Sequence, residues 1–546
     1  MIKKVMLIGL FLLVVATLPT VSAATYNVTN GSEFISALMS TTDSEIVVNL
    51  KENIVINSSD VNALSNGSIE SVVPVTINGN NRSVSILSNG EAFLKKDANN
   101  NTNIFVFKAG PVNINKLVIN DSNIIDNGAR VSIFNNSQTT LVDFYIKDLI
   151  VYNVSAGNGS KNGNSVFGPY MYQNATVVID GFSFSDNKNI GLLNCMTYSH
   201  RLYPIQRVEN GKLENNSGEF VQLLYFGGGD VENVSFNNNN VAATLFEMGP
   251  LKTSTTIHGV TNCSFVGNRV NSFVIMLGSY EGPSMFVKNC YFEDNVIGGI
   301  LTTNMGNAII NARNDSSVIH CTFLNNIVYK NENVSSSASY FGDISYPNST
   351  QQFFFNTFVN NLIDDYSVIN QENAVVFGNL FVNSTQIPEA FADNNLAVNS
   401  YSLVFGSNQP ALNGGKTKNI QLLNNESNPA LNKISAAEYQ AAVGVNPVSD
   451  KDQIGKKRIY GQGVDYGSVE LQREPIFSII DNIINGNDDE SGKTKPSWMR
   501  FFFGEDSIFS KISSLQYYIM KGWADSSIPI INQLSRIGID LLRLGP

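Results

Sequence analysis

The chain has 546 residues, of which only 15% are charged, and its formal net charge is −11. An average soluble domain has about 25% charged residues, so much of the polarity here comes from uncharged side chains, asparagine above all. Lys and Arg form no basic stripe of the kind that phosphate contacts need, which excludes a nucleic-acid partner.

The N-terminus has the three parts of a secretory signal: Lys3 and Lys4, an apolar run over 5–15, and small residues before Ala24. We expect residues 1–24 to be a signal peptide and the protein to be secreted or held at the cell surface. An uncleaved anchor is the alternative, although the run is shorter than the roughly 20 residues of a membrane span. Export would make the Asn-x-Ser/Thr triplets glycan acceptors. These include Asn27, Asn57, Asn120, Asn153, Asn233, Asn262, Asn314, Asn348 and Asn383.

The first predicted element is a short amphipathic helix, "GSEFISALMS" at 31–40, opened by Ser32. Its apolar residues Phe34, Ile35, Leu38 and Met39 fall on one side. Strand-like segments follow it. Because an open sheet edge invites aggregation, we expect this helix to cap the first coil of a repeat structure.

A six-residue frame, C-x-F-x-x-N with looser versions, recurs from residue 182 to residue 384. The first residues of successive frames are 23 to 35 residues apart, a period typical of solenoids whose coils carry unequal loops. The copies are "FSFSDN" at 182–187, "GKLENN" at 211–216, "VSFNNN" at 234–239, "CSFVGN" at 263–268, "CYFEDN" at 290–295, "CTFLNN" at 321–326, "NTFVNN" at 356–361 and "NLFVNS" at 379–384.

The pattern inside each frame indicates which solenoid this is. The first and third residues are usually apolar and the residue between them is usually polar, as in a half-buried strand. Other strand-like runs, such as 272–277 and 284–289, fill the period, and no capped helical period runs between about 60 and 430. The sequence therefore predicts an all-β fold, a right-handed single-stranded parallel β-helix with coils about 4.8 Å apart.

Stacked coils give the repeated residues structural roles. The frame phenylalanines are predicted to stack inside the cylinder, each burial stabilising the fold by roughly 1.5–3 kcal/mol. The frame asparagines are predicted to form the bend after the strand, where Asn tolerates left-handed backbone, and to bond coil to coil. The first set is Phe184, Phe236, Phe265, Phe292, Phe323, Phe358 and Phe381, and the second is Asn187, Asn239, Asn268, Asn295, Asn326 and Asn361.

Three of the four cysteines, Cys263, Cys290 and Cys321, occupy the first position of the frame. A shared repeat position favours three stacked, buried thiols, with a disulfide among them as the alternative. Neither C-x-x-C nor His-rich spacing accompanies them, so we expect no zinc or other metal site.

Two further motifs follow the last frame. "NPALNK" at 428–433 is similar to an S-P-A-[IL]-[DN] turn, and "DQIGKKRIYGQGVDYGSVE" at 452–470 to a D-Q-x-G-x-x-R…x-x-D-x-G-x-x-E signature. With the F-x-x-N series, they resemble the adhesin-like surface proteins of methanogenic archaea and the repeats of chlamydial polymorphic outer-membrane proteins. The resemblance implies one β-helix domain over 25–471 and a role in attachment at an archaeal cell surface.

Residues 472–546 differ in character from the repeat region. Apolar residues at helical spacing, such as Ile508, Ile512 and Leu515, predict a helical tail with a polar linker near 485–497. We expect this tail either to cap the end of the β-helix or to make a peripheral contact with a membrane or cell wall.

Parallel β-helices host enzymes that cut acidic polysaccharides, and each class of these enzymes has its own residue pattern. A polygalacturonase needs paired acids, G-H-G and R-x-K in order. Here Asp364 and Asp365 form a pair, but "IHG" at 257–259 lacks the first glycine and no R-x-K follows.

A pectate lyase needs clustered carboxylates and an arginine base on one groove. Asp186 and Asp294 share a repeat position, yet no coil combines several acids with an arginine. The arginines on candidate loops are Arg201, Arg207 and Arg313, and the histidines are His200, His258 and His320. We therefore predict no catalytic residue and no cofactor.

Loops rich in Tyr, Ser, Gly and Asn at 196–204, 278–283 and 335–348 suit adaptable polar recognition. The leading hypothesis is an adhesin-like protein that binds carbohydrate or protein at the cell surface or outside the cell. The alternative is a polysaccharide lyase or glycoside hydrolase that acts in a groove of the β-helix.

Overall fold

The structure is a computed structural model. It describes residues 23–94, 101–125, 128–137, 140–157, 163–169, 176–195, 205–218, 222–227, 229–242, 244–248, 257–277, 284–298, 307–312, 316–330, 339–341, 351–364, 375–385, 394–460 and 463–472. The chain divides into two units, residues 1–471 and 472–546. Nearly all of the predicted signal peptide, and the predicted tail after Gln472, lie outside the described residues.

Short strands make up most of the described chain. The strands of its first half are β1 (Ala24–Val28), β2 (Ile46–Leu50), β3 (Ile54–Asn57), β4 (Ile69–Ser71), β5 (Val75–Asn78), β6 (Ser83–Leu87), β7 (Asn101–Phe107), β8 (Val112–Asn115), β9 (Val118–Ile124), β10 (Arg130–Asn136), β11 (Phe144–Ala156), β12 (Ser165–Phe167), β13 (Thr176–Ser185), β14 (Gly191–Asn194), β15 (Ile205–Glu214), β16 (Ser217–Gly218), β17 (Leu224–Phe226), β18 (Asp230–Asn237), β19 (Asn240–Val241) and β20 (Thr244–Met248).

The strands that follow are β21 (His258–Thr261), β22 (Ser264–Val266), β23 (Arg269–Val270), β24 (Phe273–Leu277), β25 (Met285–Lys288), β26 (Tyr291–Glu293), β27 (Val296–Ile297), β28 (Ala308–Ala312), β29 (Ser317–Ile319), β30 (Thr322–Leu324), β31 (Ile327–Val328), β32 (Ser339–Phe341), β33 (Gln352–Phe354), β34 (Thr357–Val359), β35 (Leu362–Ile363), β36 (Val375–Phe377), β37 (Leu380–Val382) and β38 (Leu396–Val398).

The strands pair in parallel into a right-handed parallel β-helix, as the sequence predicts. Face A stacks β1, β2, β5, β8, β21, β25, β29, β33 and β36, and face B stacks β3, β6, β9, β22, β26, β30, β34, β37 and β38. The long strands β11, β13, β15 and β18 run through both faces. Face C is a ten-stranded sheet from β4 to β32, and the narrow side is a six-stranded sheet from β16 to β35.

One coil shows how the frame folds. The chain runs along β21 on face A, turns at Asn262, continues along β22 on face B, turns at Gly267, and follows β23 and β24. Both turn residues have left-handed φ values, 55° and 66°, which Asn and Gly adopt at little cost. Every coil of this kind therefore needs two such corner residues, and the sequence supplies mostly Asn, Asp and Gly.

The predicted N-terminal helix is present as α1 (Gly31–Leu38), between β1 and β2. Its cap is Asn30, whose side chain accepts a hydrogen bond of 3.0 Å from the Glu33 backbone N–H, so the assignment of Ser32 as the first residue was wrong. Phe34 is buried and meets the ring of Phe105 edge-on at 5.9 Å. The helix thus covers the apolar end of the cylinder. A shorter helix, α2 (Ser58–Asn62), follows β3.

The frame phenylalanines lie inside the cylinder. Between neighbouring coils from Phe236 to Phe381, ring centroids are 4.4–4.8 Å apart and ring planes differ by 6–11°. Phe184 is also fully buried, but Leu213 occupies the coil between it and Phe236. The continuous ring stack is formed by Phe236, Phe265, Phe292, Phe323, Phe358 and Phe381.

The frame asparagines form a buried amide ladder. Each side-chain amide donates to the amide oxygen of the next coil at 2.8–3.0 Å, and Asn361 ends the row at the Ser384 hydroxyl. The residue before each of these asparagines has the left-handed backbone, so the bend lies one residue earlier than predicted. The ladder contains Asn187, Asn216, Asn239, Asn268, Asn295, Asn326 and Asn361.

The cysteines are buried free thiols, so the disulfide alternative is wrong for this structure. Cys263, Cys290 and Cys321 stack at the corner between faces A and B, and the Cys290 backbone N–H points at the Cys321 sulfur, 3.4 Å away. Burial raises the pKa of Cys263 and Cys290 well above that of a free thiol. Asn356 and Asn379 continue the same column in later coils.

The last strand among the described residues ends at Val398, well before residue 471. We call the described residues 399–460 and 463–471 the strap. The strap contains α3 (Tyr401–Phe405) and α4 (Ala436–Val443) and packs on the outer surfaces of the last coils. None of the helices among the described residues is long and apolar enough to cross a membrane.

The closing signature forms the interior of the strap. Arg458 is completely buried, donates to the Asp465 carbonyl at 2.9 Å and lies over the Phe355 ring at 4.4 Å. Gln453 accepts a hydrogen bond of 2.6 Å from the Thr322 hydroxyl on face B. Arg458 and Gln453 of the motif therefore fix the strap to the β-helix.

Candidate functional site

Outward-facing residues of face A form two straight columns, with one residue from each coil. Strand alternation explains this, because the residues between the columns, such as Ile179 and Val231, point into the core. We call the two columns together the face A grid. The first column is Tyr145, Val178, Arg207, Asp230, Gly259 and Phe286. The second column is Lys147, Asp180, Glu209, Glu232, Thr261 and Lys288.

The grid has regular dimensions because hydrogen-bonded strands set them. Rungs are about 4.8 Å apart, and the two columns are about 6.7 Å apart, since they lie two residues apart along each strand. Tyr145 and Phe286 are five rungs apart, which is about 24 Å along the helix axis. Tyr145 is 41% exposed. The grid is thus a long polar surface with an aromatic ring at each end.

Three carboxylates follow one another in the second column. Burial raises the pKa of Glu209, the Arg207 guanidinium opposes this, and the neighbouring charges of Asp180 and Glu232 add to it. Asp180 is held in place from the side, because the Asn210 amide donates to it at 2.8 Å. Glu209 therefore holds a proton more readily than an ordinary glutamate.

The pKa of Asp230, in the first column, is shifted in the opposite direction. Its Oδ1 accepts a hydrogen bond of 3.2 Å from the Gly259 backbone N–H and lies 3.5 Å from His258 Nδ1. Burial alone would raise the pKa of Asp230, but the contact with His258 and its charge outweigh burial and lower it. The grid therefore has carboxyl groups whose pKa values move in opposite directions, a property of sites that exchange protons.

The second column continues toward the N-terminus as a row of amides. Asn115 donates to Asn78 at 3.2 Å, Asn78 to Asn49 at 3.0 Å, and Asn49 to Asn27 at 3.4 Å. Asn27 is exposed. Among the described residues, a polar strip with no segment over it thus extends from the grid to the first coil.

A second polar group lies on face C but is more buried. Arg130 is 4% exposed, and its guanidinium donates to the Asn194 carbonyl at 2.8 Å. Tyr225 and Glu247 are neighbours in register, and Gln222 donates to Glu247. Burial, followed by the charge of Glu247, raises the pKa of Tyr225. Face A is the better candidate site because its polar groups are open to a ligand.

Of the residues weighed for catalysis, Arg207 and His258 meet beside Asp230, and the other described ones stand apart. Asp186 and Asp294 occupy left-handed corners of separate coils, with φ values of 57° and 53°. Asp364 is exposed, and His320 is buried under the strap. Within the described part of the chain, no three His, Cys, Asp or Glu side chains converge to hold a metal ion. Arg201, Arg313, His200, Asp365 and the three tyrosine-bearing loops, apart from Ser339–Phe341, lie outside the described residues.

Sequence reasoning missed the grid because it searched one coil at a time. Stacking brings Arg207 beside Asp230 and places Glu209 between Asp180 and Glu232, although each coil contributes few charges. The signal was present two residues before the frame, where successive coils carry Asp180, Glu209 and Glu232.

Comparison with known proteins finds likeness at the level of architecture. No family model and no curated protein sequence matches the chain. Pectate lyase Pel9A matches with a TM-score of 0.31 and 12% identity, over 83% of this chain and 97% of its own. Endopolygalacturonase I from Stereum purpureum, solved with two galacturonates, matches with a TM-score of 0.23 and 12% identity, over 66% and 100%.

The catalytic domain of a GH87 alpha-1,3-glucanase, solved with tetrasaccharides, matches with a TM-score of 0.23 and 9% identity, over 66% of this chain and 68% of its own. The first two of these structures are right-handed parallel β-helices. At such identities and TM-scores, the likeness carries no argument about the activity of this chain.

Proposed function

We propose that this protein binds a linear glycan along face A, with the sugar chain parallel to the helix axis. The observation that carries the proposal is the in-register grid, which places polar side chains at regular intervals between Tyr145 and Phe286. A polymer with a regular repeat of hydroxyl groups matches a surface with a regular repeat of donors and acceptors. Solenoids use such extended surfaces for binding.

The aromatic ends of the grid fit the same ligand. A sugar ring has an apolar face and a polar rim, so it can lie on an aromatic ring while its hydroxyl groups bond to neighbouring polar side chains. Tyr145 is sufficiently exposed for this contact, and Phe286 is half-buried. Lys147, on the rung of Tyr145, supplies a donor, and Thr261, one rung before Phe286, supplies a hydroxyl.

The charge of the grid selects among glycans. The grid carries four acidic side chains, with Glu209 between Asp180 and Glu232 in its middle and Asp230 in the first column, against three basic ones, on a chain whose formal net charge is −11. The basic side chains are Arg207 in the middle and Lys147 and Lys288 at the two ends. An acidic surface repels uronates and sulfates and attracts cations. The bound glycan is therefore neutral or bears amino groups, unlike the galacturonate in one of the similar structures.

In this proposal the protein is adhesin-like and works outside the cell, as an archaeal surface protein. The signal-like N-terminus supports export. Cell fractionation of the full chain, beside a chain ending at Leu471, tests the location and the role of the tail. Recovery of the full chain in the cytoplasm contradicts export, and release of only the shortened chain from the surface supports attachment through the tail.

A binding screen tests the proposed function. Purified protein is passed over immobilised dextran, chitosan and polygalacturonate, which are neutral, amine-bearing and anionic, with bovine serum albumin as the control protein. We expect retention on dextran or chitosan and none on polygalacturonate. Absence of retention on all three, or retention on polygalacturonate alone, contradicts the proposal.

Hydrolysis of a glycan is the second candidate, because Glu209, whose pKa burial raises, lies between two further carboxyl groups in register. A protonated carboxyl can give its proton to the leaving oxygen while a neighbouring carboxylate acts as base or nucleophile. Release of new reducing ends by the native chain, abolished in Glu209→Gln, supports hydrolysis. Retention without release supports binding alone.

A further inference from the structure

The second column of face A changes character beyond Lys288. The next positions in register are Ile319, Phe354 and Phe377, so the row turns from polar to apolar within one rung. The strap residues Tyr439 and Ile434 pack on these side chains. From this rung onward, the second column of face A packs against the strap, whereas the first column continues through Ser317 and Gln352 to the exposed Val375.

Polar contacts mark the border of the covered region. Lys288 Nζ lies 3.6 Å from the Asp450 carboxylate of the strap. At the corner of the same coil, the Thr417 hydroxyl donates to the Asn289 carbonyl at 2.8 Å. The strap therefore meets face A at the rung where the grid ends.

Hydrogen bonds hold the strap in place near this border. Its Gln453 side chain donates to the Cys290 and Lys418 carbonyls at 3.3 Å and 3.0 Å. Its Ser468 hydroxyl donates to the Thr357 hydroxyl at 3.0 Å. The bonds to the Cys290 carbonyl and the Thr357 hydroxyl are buried and join the strap to the β-helix, so breaking them would leave buried polar groups without partners.

The other direction along face A is open in the described structure. The amide row from Asn115 to Asn27 continues the second column without a covering segment. A chain that lies along the grid can extend toward Asn27 but meets the strap after Lys288.

We propose that face A recognises the end of a glycan chain. The terminal sugar lies against the Lys288–Asp450 contact, and the rest of the chain runs over the grid toward Asn27. This inference rests on the proposed function and adds that the partner is a chain terminus, so that one chain binds one protein at that end.

Stoichiometry distinguishes a chain end from a chain interior. Short and tenfold longer fractions of chitosan and of linear dextran are titrated into the full-length protein by calorimetry, with molar amounts counted per chain. We expect the same number of proteins bound per chain at both lengths. A number that rises in proportion to length overturns end recognition and leaves glycan binding intact, whereas absence of binding to both polymers overturns the proposed function as well.

Blocking the chain ends gives a second, independent readout. The reducing end of a short bound fraction is coupled to a bulky protein in one sample, and the opposite end in another. We expect coupling at one of the two ends to weaken binding at least tenfold and coupling at the other to leave it unchanged. Equal binding of both coupled samples and of free oligosaccharide contradicts the proposal.

Discussion

Phe265 and Phe292 lie ring on ring in successive coils, with centroids 4.8 Å apart and planes that differ by 6°. The rings are separated by the spacing of hydrogen-bonded strands, so the backbone and the aromatic stack share one repeat. Each ring is in contact with a ring above and below. The stack therefore links the coils that form face A and face B into one core.

Replacement of Phe292 by alanine removes a ring from the middle of this stack. Because Phe292 is completely buried, we expect a loss of about 3–5 kcal/mol in the free energy of unfolding. Chemical denaturation followed by circular dichroism measures the change. Tyr329→Ala is the control, since Tyr329 is 46% exposed and its loss should cost below about 0.5 kcal/mol. Equal losses in both variants would show that the stack does not stabilise the fold.

Asn295→Ala tests the amide ladder. The Asn295 oxygen accepts from the backbone and side-chain N–H groups of Asn268, and its amide donates to the Phe265 carbonyl and to Asn326. Alanine leaves these buried groups without partners, so we expect the free energy of unfolding to fall by at least about 2 kcal/mol.

Asn240→Ala is the matched control for the ladder, because Asn240 is exposed on the same side of the coil. Its substitution should change the free energy of unfolding by less than about 0.5 kcal/mol. A similar small change in Asn295→Ala would mean that the ladder only accompanies the fold and does not stabilise it.

His320 should make the stability of the folded protein at the strap sensitive to acid. It is completely buried at a left-handed corner with a φ of 54°, 6.2 Å from the Phe355 ring. Burial, followed by the positive charges of Arg458 and Lys288, lowers its pKa well below the ordinary value, whereas a backbone contact at Lys451 opposes this shift. The folded protein therefore holds His320 neutral.

The sign of the pH effect follows from linkage. The unfolded chain takes up a proton at His320 near pH 6.5, so acid favours unfolding by up to about 1.4 kcal/mol per pH unit below that value. Burial also raises the pKa of two carboxyl groups of the strap, Asp452 and Glu470, so they contribute to the pH dependence as well. A substitution at His320 isolates its own share of the pH dependence.

His320→Asn places at this corner the residue that Asn262 and Asn289 supply in earlier coils, so the backbone is not strained. We expect the native chain to lose more stability than this variant between about pH 7.5 and about pH 5. Thermal unfolding at both pH values measures the difference. Parallel losses in the two proteins would exclude His320 as the acid-sensitive group.

The β-helix was predictable because its signal repeats. Phe265, Phe292 and Phe323 share a frame position, and only stacked coils give one position the same burial in every copy. The strap was not predictable in the same way. Charged residues such as Arg458 and Glu470 are typical of a solvated surface segment, and only the fold shows that these two are buried.

The grid is less predictable from the sequence than the β-helix and more predictable than the strap. Its residues stand at a fixed distance before the frame, so their alignment is implicit in the repeat. Their chemistry depends on neighbours 20 to 30 residues apart, as with Asp180, Glu209 and Glu232, whose strands pair in register. A search of single coils misses such contacts, whereas a search of aligned coils finds them.

Binding of a glycan by two tyrosine variants tests the central proposal most directly. Tyr145 and Tyr152 lie on the same strand and are 41% and 37% exposed, but Tyr145 faces outward on face A and Tyr152 on face B. The measurement is the dissociation constant of Tyr145→Ala and of Tyr152→Ala for the dextran or chitosan fraction that the native chain retains. We expect at least a tenfold weaker complex for Tyr145→Ala and an unchanged one for Tyr152→Ala. Equal affinity of both variants, or a loss confined to Tyr152→Ala, would contradict a binding site on face A.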